Sequence, residues 1–170
     1  MIVAKVIKPG RFNADAFQRE IARAANEAGK TIKKDFEATT KHWDNKPEFE
    51  LIVSLEPSPV EVLVSTDDEI YKYVNDGTKP HEIWAGWYTG KSEHKSLVFP
   101  SAFTAKTKPN SLQTGPGSSG GALVHTPYVE HKGSKPRNFD KLIKKKRERW
   151  FKQQMEDAMA RARKASGHAI

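Results

Sequence analysis

Two stretches of this sequence, far apart in the chain, repeat one order of residue types. The first covers residues 70–81 (IYKYVNDGTKPH) and the second covers residues 128–136 (YVEHKGSKP). In each, an aromatic and aliphatic run stops at a glycine, which is followed by a hydroxyl residue, a lysine and a proline. Because glycine accepts a positive φ angle and proline prevents a helix from resuming, the chain is predicted to turn sharply at both places.

The residues predicted to form these turns are Gly77, Thr78, Pro80, Gly133 and Pro136. In the first stretch a short helix is predicted to end at Gly77, and the Thr78 hydroxyl can bond to the nearby backbone. Glycine and proline mark ordinary turns in most domains, so either stretch alone would indicate only a change of direction. Their repetition in the same order is the more informative observation.

Long amphipathic helices are predicted near both ends of the chain. Asn13 is a suitable N-cap for the first helix, whose apolar residues recur every three or four positions up to about Thr39. The last helix is predicted to begin after Asn138 and to carry an apolar stripe from Phe139 to Ala162. Each helix is expected to pack against the rest of the fold through its apolar stripe.

The strand signals lie mainly between these helices. Alternating residues at 49–55 and 60–65 predict an antiparallel hairpin joined by residues 57–59. Further strands are predicted at residues 2–7, 81–88, 97–99 and 122–125. The predicted fold class is α+β, in which a small, mostly antiparallel sheet packs against the long N-terminal and C-terminal helices. A chain of 170 residues fits a single domain, predicted over residues 1–165.

Residues 106–121 (KTKPNSLQTGPGSSGG) have neither helical nor strand periodicity. Their glycine, serine and proline content predicts a long, flexible and projecting loop, which we expect to become ordered on contact with a neighbouring molecule. Lys108 and Gln113 are the candidate partner-binding residues of this loop. Residues 166–170 are expected to form a frayed C-terminus.

The positive charge is concentrated at the C-terminal end. The chain has a net charge of +8, and the residues from Lys132 onward include thirteen Lys and Arg but only four Asp and Glu. There is no cysteine, which excludes a disulfide framework, a thiolate metal site and a cysteine nucleophile. No apolar run is long enough to span a bilayer or to act as a signal peptide, so we expect a soluble protein made in the cytoplasm, without a membrane partner.

No set of catalytic residues is evident in the sequence. Residues 85–92 (AGWYTGKS) are loosely similar to a phosphate-binding loop, but Trp87 and Tyr88 are bulky for a phosphate cradle and Pro100 follows too soon for the required helix. The six histidines lack the spacing of helical metal ligands. The sequence therefore predicts no catalytic residue, no cofactor and no metal, and a phosphoester enzyme acting through Lys91 is the least favoured alternative.

The basic residues of the last helix are the other candidates for binding a partner. They are Lys144, Lys145, Lys146, Arg147 and Arg149. Such a face can simply be solvated, can attract the phosphates of duplex DNA, or can dock against acidic protein surfaces. The charged face lacks aromatic residues for stacking single-stranded bases, because the nearby aromatic residues fall near the apolar stripe. Docking against protein surfaces is the favoured interpretation.

The order of these motifs resembles a family of small morphogenesis proteins of long-tailed, lambda-like bacteriophages. The resemblance rests on the apolar run ending in GTKPH at 77–81, the turn from His131 to Gly133, Pro136 with Phe139, and the long basic terminal helix. It covers most of the chain and is strongest over residues 70–81 and 128–165. In the family pattern an acidic and an aromatic residue stand in place of Asn75-Asp76, and a proline in place of Lys132.

The resemblance implies a structural protein of the virion that is not an enzyme. It would lie at the head–tail junction, as a tail-completion protein, a tail terminator or a component of a connector ring. The implied partners are further copies of the chain in a ring, such as a hexamer, and the adjoining neck, connector and tail-tube proteins, with incidental contact to packaged DNA. The alternative interpretation is a basic module that binds double-stranded DNA.

Overall fold

The computed structural model describes residues 12–55 and 60–167, which contain three helices and six strands. The helices are α1 (Ala14–Thr39), α2 (Glu69–Asp76) and α3 (Phe139–Ala165). The strands are β1 (Glu50–Ser54), β2 (Glu61–Ser65), β3 (His81–Trp84), β4 (Leu97–Thr104), β5 (Ser118–Thr126) and β6 (Tyr128–His131). The predicted α+β class is confirmed, with long helices toward both ends and antiparallel strands between them. The strand predicted at 2–7 and the hairpin connection at 57–59 lie outside the described residues.

The described strands form three separate two-stranded antiparallel sheets. Strand β1 pairs with β2, β3 pairs with β6, and β4 pairs with β5. The hairpins β1–β2 and β4–β5 join consecutive strands, whereas β3, which begins at the last residue of the first repeated stretch, pairs with β6, the first four residues of the second. The small sheet expected from the sequence is thus divided into three ribbons.

The described residues group into two compact units, whereas the sequence predicts a single domain over 1–165. The first unit contains residues 12–34, 50–55, 60–65 and 145–167, and the second contains residues 35–49 and 66–144. Each long helix contributes residues to both units. Neither unit is therefore a continuous stretch of the chain.

In the first unit, α1 and α3 run antiparallel. The Asn13 backbone N–H donates to the Ser166 carbonyl at 3.2 Å, which brings the start of α1 to the end of α3. The Asn13 side chain also accepts a hydrogen bond from the Ala16 N–H at 3.0 Å, so the N-cap predicted from the sequence is confirmed. Farther along, the carboxylate of Glu20 lies 3.8 Å from the Arg161 guanidinium.

Three alanines and one isoleucine form the contact between these two helices. Ile21 and Ala24 of α1 pack with Ala158 and Ala162 of α3, and both of these α3 alanines are fully buried. Partly buried apolar residues surround this cluster, namely Phe17, Leu55, Val60 and Met155. Because alanine adds only a methyl group, the helix backbones can approach closely along this seam.

The β1–β2 hairpin belongs to the same unit and packs against α1. A Cβ atom built on Gly29 would lie 2.6 Å from a methyl carbon of Leu51 and 3.1 Å from one of Val62. Glycine costs up to about 1 kcal/mol in a helix interior. Here the missing side chain leaves room for Leu51 and Val62 of the hairpin. The helical periodicity of the sequence does not show that position 29 requires a glycine.

Part of the predicted loop at 106–121 is a strand. Strand β5 begins at Ser118, and Ser118, Ser119 and Gly120 pair with residues of β4. The register shifts near Gly121, whose φ of 81° is typical of a glycine bulge. Serine and glycine carry no alternating apolar pattern, and for this reason the sequence does not predict the start of this strand.

The rest of that loop is anchored within the second unit by polar contacts. The Lys106 ammonium lies 3.0 Å from the Asp44 carboxylate, and the Arg137 Nε donates to the Thr107 hydroxyl at 3.1 Å. Thr107 is buried and forms an isolated β-bridge with Thr114. The loop therefore has partners inside the chain, although its sequence lacks apolar anchors.

The end of α3 is also ordered at the last described residues. The Ser166 backbone N–H donates to the Ala162 carbonyl at 2.9 Å, and its hydroxyl donates to the Arg163 carbonyl at 2.9 Å. Gly167 follows with a φ of 84°, as is common after a helix. Ser166 and Gly167 thus form a helix end, whereas the sequence predicts fraying from residue 166.

The alanine seam of the first unit predicts the effect of a larger side chain. We expect Ala162→Leu to lower the free energy of unfolding by about 1–3 kcal/mol, because the added carbons must displace α1 or distort the helix. Ala160→Leu is the matched control, since Ala160 is exposed on the same helix and should change stability by less than about 0.5 kcal/mol. Urea unfolding measures both variants, and equal midpoints would contradict the packing described.

Candidate functional site

The two repeated turns of the sequence pair with each other in the second unit. The Thr78 N–H donates to the Ser134 carbonyl at 3.0 Å, and the Ser134 N–H donates to the Thr78 carbonyl at 3.2 Å. The Thr78 and Ser134 hydroxyls lie 3.2 Å apart, and the Ser134 N–H is also 3.0 Å from the Thr78 hydroxyl oxygen. The equivalent hydroxyl residues of the two stretches therefore form a small antiparallel clasp.

Both glycines of this clasp are required by conformation and by space. Gly77 has a φ of 77° and Gly133 a φ of 79°, in the region that residues with a Cβ atom rarely adopt. A Cβ on Gly77 would lie 2.5 Å from the Ser134 carbonyl oxygen and 2.8 Å from the Pro136 nitrogen. A Cβ on Gly133 would collide with the Thr78 carbonyl oxygen. The structural role predicted for both glycines follows directly from this geometry.

The clasp also joins the end of α2 to the start of α3. The Asn75 carbonyl accepts hydrogen bonds from the backbone N–H groups of Arg137 and Asn138, both at 3.0 Å. The Asn75 side-chain oxygen accepts from the Asp140 N–H at 3.3 Å. Asn138 itself has a φ of 54°, and its side chain donates to Asn110 at 2.7 Å. An asparagine from α2 thus binds a free N–H group at the start of α3.

An aromatic cluster surrounds Tyr71 of α2, in the same unit as the clasp. Tyr71 of α2 is 5% exposed, and its ring centroid lies 5.0 Å from that of Phe49, 5.8 Å from that of Phe139 and 6.1 Å from that of Trp43. The Tyr71 hydroxyl oxygen is 3.4 Å from that of Thr39. Burial raises the pKa of Tyr71 from its ordinary value of 10.0 to about 12, because the phenolate would lose its hydration.

Beyond the clasp, strands β3 and β6 place histidine and aromatic residues side by side. His81 pairs with His131, with ring centroids 5.0 Å apart, and Trp84 pairs with Tyr128, with stacked rings at 5.0 Å. The Trp84 and Tyr128 side chains are both about two-fifths exposed. Aromatic surface is thus presented to solvent at one end of this ribbon.

The segment similar to a phosphate-binding loop is folded back on itself. The Gly86 carbonyl accepts from the N–H groups of Thr89 at 3.2 Å, Lys91 at 2.8 Å and Ser92 at 3.2 Å. The Tyr88 N–H group likewise donates a hydrogen bond to the Ala85 carbonyl, at 3.0 Å. A phosphate cradle needs such N–H groups to point at the ligand. This arrangement argues against nucleotide binding at Lys91.

The basic residues of α3 lie where the sequence places them, on the first half of one helix. Lys144, Lys145, Lys146 and Arg149 are exposed, and Arg147 is half-buried with its guanidinium 5.0 Å from the Trp150 ring centroid. In the anchored loop, Lys108 and Gln113 are exposed as well. Most of these candidate side chains are thus exposed on the surface of the second half of the chain.

Other classes of site can be assessed within the described residues. No group of three or more His, Asp or Glu side chains in that part of the chain is placed to hold a metal ion. None of the three described helices combines the length and the apolar character needed to cross a bilayer. Comparison of the chain with protein-family models, with curated protein sequences and with solved structures finds no match.

The β4–β5 ribbon is a surface that sequence reasoning missed. Phe103 is 74% exposed and Leu123 is 64% exposed, and Val98 is also largely exposed. The signal that could have found it is compositional: β4 and β5 contain no Asp, Glu, Lys or Arg, although 29% of the chain is charged. A long uncharged hairpin with exposed large side chains is typical of a contact surface.

Alanine substitutions at glycine can separate backbone strain from steric clash. We expect Gly77→Ala and Gly133→Ala to destabilise the protein by about 2–4 kcal/mol, because both effects apply there. Gly90→Ala should cost only about 1 kcal/mol, since Gly90 has a φ of 69° but open space around an added Cβ. Gly115→Ala, with open space and no positive φ, should be nearly neutral. If chemical unfolding showed the same loss of stability for Gly77→Ala as for Gly115→Ala, the described role of the clasp would be contradicted.

The buried Tyr71 hydroxyl predicts a pH dependence. Its folded-state pKa lies above its ordinary value, so its contribution to stability is complete below pH 10.0 and is lost as the pH rises toward about 12. Over this pH range we expect the free energy of unfolding, measured with urea, to fall by about 1–2 kcal/mol more in the wild-type protein than in Tyr71→Phe. Tyr73→Phe is the control, because Tyr73 is exposed and should behave as wild type. A Tyr71→Phe profile parallel to that of wild type would refute the assignment.

Proposed function

We propose that this chain is a structural assembly protein of a long-tailed bacteriophage, acting at the head–tail junction. In this role it is a tail-completion, terminator or connector-ring component that joins copies of itself to adjoining virion proteins. The observation that carries the proposal is the clasp, because the two stretches on which the family resemblance rests meet there. Residues 77–78 and 133–134 form one bonded element although they are far apart in sequence.

The chemistry of the clasp supports a structural role for the motif. Its peptide groups bond to each other, its hydroxyls bond to each other, and its glycines are packed against backbone. A motif of this kind stabilises a surface of defined shape, which is what a ring subunit requires.

The basic face of α3 supports the expected partners. A protein with a net charge of +8, most of it near one end, is attracted to acidic surfaces over distances of about a Debye length. Such attraction speeds association and orients the partners more than it tightens the final complex. Acidic faces of neighbouring connector or tail-tube subunits would use Lys144, Lys145, Lys146, Arg147 and Arg149 in this way.

The second candidate function is binding of double-stranded DNA, and the exposed lysines of α3 favour it. Packaged DNA lies close to any head–tail junction, so incidental contact is compatible with the first proposal. A dedicated DNA-binding module would instead bind duplex DNA tightly at physiological salt and lose affinity steeply as salt rises.

Particle assembly tests the proposed function. We expect phage particles produced without this chain to accumulate as separate heads and tails, visible by electron microscopy, and the wild-type chain supplied in trans to restore joined particles. Gly77→Ala should fail to restore joining, because the clasp is lost, whereas Lys91→Ala should restore it fully. Normal joining in the absence of the chain would overturn the proposal, and loss of joining in Lys91→Ala would favour an enzyme.

Charge reversal distinguishes the two candidate functions. We expect Lys144→Glu with Lys145→Glu to reduce particle joining, while fluorescence anisotropy with duplex DNA at physiological salt shows weak binding for wild type and variant alike. The control is Lys30→Glu with Lys34→Glu, which reverses two exposed charges on α1. If the α3 reversal abolishes tight DNA binding but leaves joining intact, the DNA-binding function is the correct one.

A further inference from the structure

One face of the β1–β2 hairpin in the first unit is open to solvent. Leu51 and Val62 belong to its inner face, since both side chains approach Gly29 of α1. Because side chains alternate along a strand, the outer face carries Ile52 and Leu63, which pair directly across the two strands. These two side chains are 43% and 54% exposed. An apolar pair therefore lies at the centre of an exposed sheet face.

Two carboxylates border this apolar pair. Glu50 lies two residues before Ile52 on β1, and Glu61 lies two residues before Leu63 on β2, so both glutamates share the outer face. Both are exposed, and neither has an ion-pair partner within residues 12–55 and 60–167. We refer to these residues together as the acidic hairpin face, namely Glu50, Ile52, Glu61 and Leu63.

The acidic hairpin face belongs to a strongly acidic stretch of the sequence. Residues 44–69 contain eight Asp and Glu but a single Lys, which gives this stretch a net charge of −7. The whole protein has a net charge of +8, so the rest of the chain is strongly basic. Opposite charges are thus concentrated in different parts of one chain.

The first unit also carries a row of exposed basic side chains on α3. Residues three or four positions apart are neighbours on a helix surface. The basic stripe consists of exposed residues with this spacing, namely Lys145, Lys146, Arg149 and Lys152. Glu148 and Glu156 lie beside it, and the Glu156 carboxylate is 3.9 Å from the Lys152 ammonium. Exposed pairs of this kind contribute little, so the stripe keeps a surplus of positive charge.

We propose that the basic stripe of one copy of this chain binds the acidic hairpin face of the next copy. In this contact the ammonium and guanidinium groups reach Glu50 and Glu61, while the methylene stems of the same side chains cover Ile52 and Leu63. The inference deepens the proposed function, on which it rests for the expectation that copies of the chain contact one another. Because the two surfaces differ, the contact is head-to-tail, which is the type that builds a ring.

The two surfaces have similar lengths. Glu61 pairs with Ser54, which lies four residues after Glu50, so the two glutamates are about 13 Å apart along the strands. Lys145 and Lys152 are seven residues apart, which corresponds to about 10 Å along the helix axis. Basic residues at the two ends of the stripe can therefore bind both carboxylates at once.

Charge selects both the occupant and its orientation. A contact between two hairpin faces would bring carboxylates together, and a contact between two stripes would bring lysines together, so both are repulsive. Nucleic acids are likewise repelled by Glu50 and Glu61. A stripe against a hairpin face is the arrangement in which two copies of a chain with a net charge of +8 attract each other locally.

Charge reversal on either surface tests the proposal. We expect Glu50→Lys with Glu61→Lys to weaken self-association at least about tenfold in sedimentation velocity, because attraction is replaced by repulsion. Lys145→Glu with Arg149→Glu should weaken it to a similar extent. The unfolding midpoints of both variants should stay near that of wild type, since the substituted side chains are exposed.

The matched control is Glu93→Lys with Glu130→Lys. It changes the net charge as much as the hairpin reversal does, at two exposed residues of the second unit. We expect less than about a threefold change in self-association, because exposed charges away from the contact are screened at physiological salt.

Mixing the two reversed variants tests whether the two surfaces meet each other. The hairpin face of one variant is then basic and the α3 stripe of the other is acidic, so the attraction is restored with opposite signs. With the variants carrying different tags, we expect mixed complexes at least about fivefold tighter than the self-association of either variant alone. An unrelated basic protein as the true occupant of the hairpin face would give no such recovery.

The apolar pair is tested separately. We expect Leu63→Thr to weaken self-association about three- to fivefold, because less apolar area is buried in the contact. Ile70→Thr is the control, since Ile70 is 60% exposed on α2 in the second unit and should leave self-association unchanged.

The outcomes separate this inference from the proposed function. If wild type self-associates and the reversed variants associate equally well, this contact is wrong, while assembly through another surface stands. If each reversal weakens association but the mixture does not regain it, the two surfaces do not meet and the inference is overturned. A wild-type chain that is monomeric at every concentration also overturns it. Particle joining is decided in each case by its own experiment.

Discussion

The bridge between Thr78 and Ser134 is the contact on which the second unit depends. It brings together residues 56 positions apart, and closing a loop of this length costs conformational entropy that local contacts do not repay. Two peptide hydrogen bonds, a hydroxyl pair and the aromatic cluster around Tyr71 offset that cost. Once formed, the clasp sets the register of β3 with β6 and holds α2 at the start of α3, so the elements that flank it follow from one small contact.

Much of the fold could be predicted because its signals are local. The apolar residues of α1 and α3 recur with helical spacing, Asn13 has the side chain of an N-cap, and β1 and β2 alternate over a short connection. Each of these patterns reflects a force acting within a few residues, so a single sequence contains it. The turns at Gly77 and Gly133 were predictable for the same reason, since a positive φ is a property of one residue.

The parts that could not be predicted depend on contacts between distant residues. The two turns were predicted separately, but neither stretch predicts the hydrogen bonds between Thr78 and Ser134. The anchoring of Lys106 by Asp44, and of Asn110 by Asn138, uses polar pairs that have no periodicity. The start of β5 consists of serine and glycine, whose strand conformation is imposed by pairing with β4. The ribbon surface was missed because exposure is a property of the folded chain.

The discontinuous first unit has a consequence for biosynthesis. Its α1 seam residues, Ile21 and Ala24, are covered by Ala158 and Ala162, and Ala158 follows Ala24 by 134 positions in the chain. At about 5–20 residues per second, the apolar stripe of α1 stays uncovered for several seconds in every nascent chain. Chaperone capture during translation is therefore expected to protect α1, and premature termination before α3 would yield a fragment prone to aggregation.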